Sequence, residues 1–248
     1  MVKISKYIKY PGSNIVEVIS YNENQKNINF VKIKKGKMLN PLTGEAKEYK
    51  PSRTKDQCIE STRVSLLNAG ELIKYNFLRY DTVYSVDLTF RDAPMNYDEF
   101  QTSLRNFTRK MRRIDPNIEY VFIKEAGSNG RFHAHSIMWS PELTEEIIRD
   151  KWKYGEEICF QKINEKRGLI YKISYLTNIT GDSEEATAKS NNLMYFPANK
   201  HIFLASKNLA EPKFIDGEPD VKIKETILKT PEDKIIKFGV GYHTFEIA

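Results

Sequence analysis

Gly130-Arg131-Phe132-His133-Ala134-His135-Ser136-Ile137-Met138-Trp139 is the stretch on which the reading of this chain turns. A β-strand sends successive side chains to opposite faces. Read as a strand, the run puts His133 and His135 on one face, about 7 Å apart along the chain. Phe132, Ala134 and Ser136 take the other face. Two imidazoles so placed can share one divalent metal. Taken alone, the pair also fits a plainer reading, two half-buried histidines with ordinary hydrogen bonds. The chain has 4 histidines, the others being His201 and His243.

Working outward, Ile118 to Lys124 reads as a strand, and Gly127 to Gly130 as the tight turn that pairs it with the histidine strand. Val83 to Phe90 is a further strand by alternation and β-branched content. Tyr84, Val86, Leu88 and Phe90 share one face; Ser85, Asp87 and Thr89 share the other. Tyr97 to Ile114 is the clearest helix, with Phe100, Leu104, Phe107, Met111 and Ile114 at spacings of four and three. Asn96 is placed to cap it, with Glu99 three residues on. Its outer side carries Arg105, Arg109, Lys110, Arg112 and Arg113, which suits a solvated face or a DNA-backbone contact.

Beyond these, Pro141 to Lys153 reads as a helix with Leu143, Ile147 and Trp152 inward. Glu157 to Ile163 reads as a strand and Leu169 to Thr177 as a helix, while Gly181 to Asn192 is polar and expected to be mobile. His201 to Leu209 and Ile235 to Ile247 read as terminal strands or a hairpin. Upstream, Ile15 to Tyr21 and Ile28 to Ile33 read as a hairpin around a polar turn, Asn22 to Asn27. Lys32, Lys34, Lys35 and Lys37 follow, a solvated edge or a phosphate contact, then a turn at Pro41 to Gly44. Residues 55–79 read as a helix. Strands and helices mix without a βαβ repeat. The expected class is therefore α+β, a central antiparallel sheet of about five strands with helices mainly on one face. The Val86–Phe90 and Phe132–Trp139 strands should be neighbours in its middle. The expected organisation is an N-terminal β-hairpin layer over 1–60, a core over 61–212, and a C-terminal extension with a β-hairpin over 213–248.

Composition narrows the class without choosing a function. The chain has 248 residues, enough for a substantial core. Lys+Arg is 39 against 33 Asp+Glu, a net charge of +6 that suits a polyanionic partner. Aromatic residues make up 12%, which argues against disorder. Cys58 and Cys159 match no metal-ligand spacing and read as reduced core thiols. The start of the chain lacks the apolar stretch of a signal peptide. No run approaches the ~18 apolar residues of a membrane span. The expectation is a soluble, cytoplasmic protein with no membrane partner.

Three blocks stand in order: Val86-Asp87-Leu88-Thr89-Phe90; Tyr120 to Glu125, a glycine turn and His133-Ala134-His135; and Leu169-Ile170-Tyr171-Lys172-Ile173-Ser174-Tyr175-Leu176-Thr177. In this the sequence resembles the HUH endonucleases, specifically the rolling-circle replication initiators (Rep proteins) of small plasmids and phages, over roughly residues 80–210. That family has an apolar strand with a Thr, a His-apolar-His strand, and a helix bearing Tyr-x-x-Lys-Tyr. The resemblance implies an RRM-like core and a metal-dependent, site-specific nickase and strand transferase for single-stranded DNA. It implies a covalent 5′-phosphotyrosine intermediate and single-stranded origin DNA as partner. Its implied site residues are His133, His135 and Glu125 for the metal, Mn²⁺ or Mg²⁺, with Tyr171 first and Tyr175 second as nucleophile. Asp87 and Thr89 read as support for the site.

One departure stands out. With Tyr171 and Tyr175 aligned to the family's tyrosines, Ser174 falls where Lys is expected and Asn178 where a second Lys often follows. Lys172 is the nearest basic residue, and on a helix two positions away it is expected to point elsewhere. The alternatives are a transposase or relaxase of the same superfamily, and a DNA-binding module that kept the fold and lost the reaction. The chain shows no Gly-x-x-x-x-Gly-Lys-Ser/Thr motif, so a helicase, if used, comes from another chain.

The basic balance makes a prediction of its own. Lysines and arginines that neutralise phosphates release counterions, so affinity for single-stranded DNA should fall linearly in log–log form as salt rises, with a slope of about −0.7 per phosphate contacted. Fluorescence anisotropy across a salt series measures it. A flat response would leave the Arg105–Arg113 face as plain solvated surface.

Overall fold

The computed structural model describes residues 2–22, 31–34, 36–41, 43–90, 96–155, 157–179, 183–229 and 240–248. In chain order the elements begin with β1 (Val2–Lys9), β2 (Ile15–Asn22), β3 (Val31–Lys34), β4 (Lys37–Leu39), β5 (Ala46–Glu48) and α1 (Ile59–Phe77). The middle of the chain holds β6 (Val83–Thr89), α2 (Tyr97–Ile114), β7 (Glu119–Ala126), β8 (Phe132–Trp139), α3 (Glu145–Lys151), β9 (Ile158–Ile163), α4 (Lys166–Thr177) and α5 (Glu184–Asn192). The last are β10 (Phe203–Ala205), β11 (Ile215–Asp216), β12 (Ile223–Lys229) and β13 (Val240–Ile247). They fall into two compact units, Met1–Ser52 with Lys213–Ala248, and Arg53–Pro212.

In the first unit β11-β1-β2-β13-β12 form one antiparallel sheet and β3-β4-β5 a second. Ile8, Tyr10, Ile15, Val16, Val18 and Ile19 are buried there. Glu17 is buried too, and its carboxylate accepts a hydrogen bond from the Thr244 hydroxyl at 2.9 Å.

The second unit is built on the antiparallel sheet β10-β7-β8-β6-β9, with the histidine strand β8 at its centre and β6 beside it, as the alternation predicts. The α+β class with a five-stranded antiparallel sheet is the class expected. One face is apolar: Val86, Leu88, Phe122, Phe132, Ala134 and Met138 are all buried. Helix α2 covers this face. The Phe100 ring stacks on Phe132 with centroids 5.0 Å apart, and Phe107 meets Phe122 edge-on at 6.2 Å. Such aromatic pairs add about 0.5–1.5 kcal/mol beyond the area they bury. The Asn96 side chain caps α2 by accepting from the Glu99 N–H at 2.9 Å. Arg105, Arg109, Arg112 and Arg113 are exposed on its far side, away from the sheet face that carries the histidines.

The histidine face also carries Val121, Ile123 and Ile137, which are buried. Leu66 of α1, Leu176 of α4, Ile179 and Ile123 line one small cavity, which places both helices over this face. Helices thus flank both faces rather than mainly one. Apolar positions stand on both sides of the strands, and each set needs cover.

Other differences have local causes. Helix α3 begins at Glu145, because Thr144 caps it by accepting from the Ile147 N–H at 3.3 Å; Ile148, not Ile147, is fully buried. Of the polar stretch expected to be mobile, 181 and 182 lie outside the described residues, and the rest is α5. Its cap is Ser183, whose hydroxyl accepts from the Ala186 N–H at 3.1 Å. The expected N-terminal hairpin partner fails. Residues 23–30 lie outside the described residues, β3 pairs with β4, and β2 pairs with β1 and β13. A register shift between Ile4 and Lys6 breaks the alternation that would have revealed β1. The terminal stretches make no hairpin together: β10 joins the sheet of the second unit and β13 that of the first, with 235–239 outside the described residues. Lys35 also lies outside them. Cys159, expected in the core, is exposed on the edge strand β9, while Cys58 is half-buried; both are free thiols.

The segment after α3 crosses the end of β6. The Trp152 indole donates to the Thr89 carbonyl at 2.9 Å, and the Thr89 hydroxyl donates to the Glu157 carbonyl at 2.6 Å. A Cβ at Gly155 would run into that same Thr89 carbonyl. Gly155→Ala should therefore destabilise by about 1–3 kcal/mol, as overpacking against backbone does. Thermal unfolding followed by circular dichroism reads this as a lowered Tm. An unchanged Tm would show that the crossing segment yields freely.

Candidate metal centre

Register assembles the centre. Opposite His133 on β7 stands Glu125; opposite His135 on β6 stands Asp87. All four side chains rise from one face of three adjacent strands. The turn before β8 depends on Gly130, whose φ of 77° lies in the left-handed region that glycine adopts freely. Glu125 Oε2 lies 3.6 Å from His133 Nε2 and 3.5 Å from His135 Nε2. The two imidazole rings stand at 90° with centroids 4.9 Å apart.

These residues fit a divalent ion. One ligand atom from each of Glu125, His133 and His135 lies within 4.8 Å of the others. Ligand atoms in neighbouring positions around one Mg²⁺ or Mn²⁺ stand about 3–3.5 Å apart, close to what the carboxylate and imidazoles show. Glu125 Oε1 is buried without a hydrogen-bond partner. Asp87 completes a carboxylate–histidine arrangement: its Oδ1 lies 2.8 Å from His135 Nδ1, leaving Nε2 toward Glu125. The contact is electrostatic, since neither atom makes a hydrogen bond of good geometry. Outer partners of this kind hold a ligand imidazole in one orientation.

The charges reinforce one another. Burial works to raise the Glu125 carboxyl, but His133, His135 and Lys189 overcome it and hold it well below the usual carboxylate range. Burial likewise acts against ionised Asp87, and His135 and Lys172 outweigh it, so its pKa is lowered. Burial disfavours the His135 cation, yet the Asp87 and Glu125 carboxylates raise its pKa to about 9. In the absence of a metal His135 holds a proton at neutral pH, and a metal taking its place releases it.

The tyrosines stand apart from one another in their contacts. Tyr171 and Tyr175, on α4, are 54% and 47% exposed. Among the described residues Tyr171 has no hydrogen bond or ring contact. Tyr175 has two cations over its ring: Lys172 Nζ at 5.7 Å from the centroid and Lys189 Nζ at 4.0 Å. The Glu185 carboxylate, its hydrogen-bond partner, raises the phenol to about 12, with burial adding to the shift.

Two lysines escaped the sequence reading. Lys172 is expected from helical spacing to point elsewhere, but its Nζ lies 3.7 Å from Asp87 Oδ2. Four methylenes let it reach the sheet from its own helix face. Lys189, in α5, lies 3.3 Å from Glu125 Oε1. The signal for it was the Ser183 cap, followed by the Glu185–Lys189 pair four apart. Ser174 is exposed. Thr89 stands opposite His133, but its hydroxyl is engaged by Glu157. Among the described residues no helix is long and apolar enough to cross a membrane.

Residues 83–180, under half of the chain, match a family model described as a replication-associated protein of the ORF2 type. The matched segment contains Asp87, Glu125, His133, His135, Tyr171 and Tyr175. The chain is also similar to the hypothetical protein ORF119 from Sulfolobus islandicus rod-shaped virus 1. That solved structure matches at 12% identity and a TM-score of 0.34, over 51% of this chain and 97% of the other. A likeness that distant carries no argument about function. No curated protein matches.

Calorimetric titration with Mn²⁺ tests the centre. The double variant His133→Ala/His135→Ala should lose the binding isotherm. Asp87→Asn should weaken it by about 10- to 100-fold, the usual cost of removing an outer-shell partner. Unchanged binding in the double variant would refute the ligand set.

Proposed function

We propose that this protein is a replication initiator that nicks and rejoins single-stranded DNA at an origin through a tyrosine, with a divalent metal at Glu125, His133 and His135. The observation that carries the reading is the convergence of those three side chains across two strands, inside a segment that matches a replication-associated family. Mn²⁺ or Mg²⁺ suits two imidazoles and a carboxylate. A bound ion would polarise the phosphate oxygens and offset the charge that builds on them.

The chain's own residues do the rest. Asp87 orients His135. The tyrosine oxygen forms a bond to phosphorus as the bond from phosphorus to the 3′ oxygen breaks. The 3′ oxygen leaves and takes up a proton; the phenol's proton passes to Glu185, the carboxylate that faces Tyr175. The 5′ phosphate stays on the enzyme, the bond energy is kept, and the reverse reaction rejoins the strand. The resemblance puts Tyr171 first and Tyr175 second as nucleophile. The contacts favour Tyr175 first, since Lys172 and Lys189 tie its ring to the two acids of the centre. The second reading, a DNA-binding module without activity, draws on Ser174, exposed where the family pattern has Lys.

Labelled single-stranded oligonucleotide incubated with the protein and Mn²⁺ should give an adduct that survives denaturation, and a chelator should abolish it. Tyr175→Phe should remove most of the adduct, and Tyr171→Phe should keep more than half. The opposite result would restore the order that the motif implies. Cleavage by the double variant would replace tyrosine with water as nucleophile. Tight DNA binding without any adduct in the unmodified protein would favour the binding module.

A further inference from the structure

The Lys189 ammonium touches both halves of the centre at once. It lies 3.3 Å from Glu125 Oε1, while Glu125 Oε2 is the oxygen that faces the two histidines. It donates a hydrogen bond to the Tyr175 backbone carbonyl at 2.8 Å and lies 4.0 Å from the centroid of the Tyr175 ring. The fourth contact is Glu185 Oε1, one turn back on its own helix, at 3.6 Å. The side chain is only 11% exposed, so these contacts are made out of bulk water, where charge interactions are stronger. The helix is anchored where it matters, with the Asn192 amide donating to the Ala126 carbonyl at the end of β7 at 2.9 Å. Lys189 lies beyond the segment that matches the replication-associated family.

We infer that Lys189 is a positioning residue that bridges the metal-binding carboxylate and Tyr175, supplying from α5 a cation that the α4 motif lacks at Ser174. The inference rests on the nuclease reading above and deepens it. One ammonium divides Glu125 between two tasks: Oε1 meets the lysine and Oε2 stays turned to the imidazoles. The same ammonium fixes the turn of α4 that carries Tyr175, through both its carbonyl and its ring. No contact of this kind reaches Tyr171 among the described residues. A reacting pair held in place in advance gains rate without gaining affinity. A ring clamped beneath a cation also keeps its rotamer. Loss of the lysine should therefore slow transfer from Tyr175 while leaving the DNA groove and the histidines as they are.

The test uses the full chain and two readouts. Lys189→Met keeps the length of the side chain and removes the charge; Lys189→Arg restores a cation. With Mn²⁺ and a single-stranded origin-type oligonucleotide, Lys189→Met should slow adduct formation about 10- to 100-fold. DNA affinity should change by less than about 2-fold, because one phosphate-independent cation is removed from a much larger basic surface. Lys189→Arg should recover at least a third of the rate. Independently of activity, a ¹³C–¹H spectrum of the tyrosine rings should show the Tyr175 signal, assigned with Tyr175→Phe, moving on Lys189→Met while the Tyr171 signal stays. A stationary Tyr175 signal, or a Lys189→Met protein with the full rate, overturns the inference. If the unmodified protein forms no adduct but the ring signal moves as expected, the nuclease reading alone fails and the bridge stands.

Discussion

The register of the histidine strand between its two neighbours is the constraint on which everything else in the second unit depends. Side chains on a strand alternate with a period of two, so a slip of one residue would turn His133 and His135 into the apolar core and Phe132 and Ala134 out of it. The apolar face makes that slip costly. Phe132 stacks on Phe100 and also meets Phe196 and Tyr97 edge-on. Ser136, fully buried on this face, is satisfied by donating to the Val86 carbonyl at 2.7 Å, a bond that itself spans β8 and β6. The packing of one face thus sets the chemistry of the other. Asp87 and Glu125 arrive opposite their histidines because the apolar residues next to them are locked.

Such a cluster of ionisable groups at the edge of a core is costly to bury unless each charge is answered. Here acids and bases alternate. Glu125 sits among His133, His135 and Lys189, while Asp87 sits between His135 and Lys172. The histidines come from the central strand, the acids from the strands on either side, and the lysines from helices over the face. This division has a consequence for mobility. Strands in the middle of a sheet are rigid and hold the ligand geometry. The lysines arrive on short helices, α4 and α5, that carry the exposed tyrosines and their immediate neighbours. The rigid part suits a metal, and the part built on exposed helices suits an interaction with a long, flexible polymer.

A buried lysine on the opposite face shows how strictly polar groups are accommodated. Lys124 follows the same strand alternation as Phe122 and lies in the core against α2. Its ammonium donates to the Tyr97 hydroxyl at 2.7 Å, to Gln101 and to the His201 carbonyl at 2.8 Å. Burial nevertheless lowers its pKa to about 7. With three acceptors in place the group is held as structure, one residue away from Glu125 in sequence and on the other side of the sheet.

By itself the sequence determined the features that local periodicity encodes. The alternation around His133 and His135, the four-and-three spacing of α2 with its Asn96 cap, and the strand at Val83–Thr89 are short-range patterns, and each appears at its expected place. The pairing of those strands followed from one tight glycine turn and a shared polar face. What tertiary structure decided was everything that depends on distant segments or on the reach of a side chain. That β2 pairs with β13, more than two hundred residues away, is written in no local pattern. Helix α5 has one buried residue, Ala186, so its polarity hid it, and docking at the end of β7 holds it in place. Lys172 and Lys189 reach the acids through long flexible chains whose direction helical spacing alone does not set. Ligands on strands could be read because a strand has two faces. The cations could not, because their partners exist only once the helices are laid across the sheet.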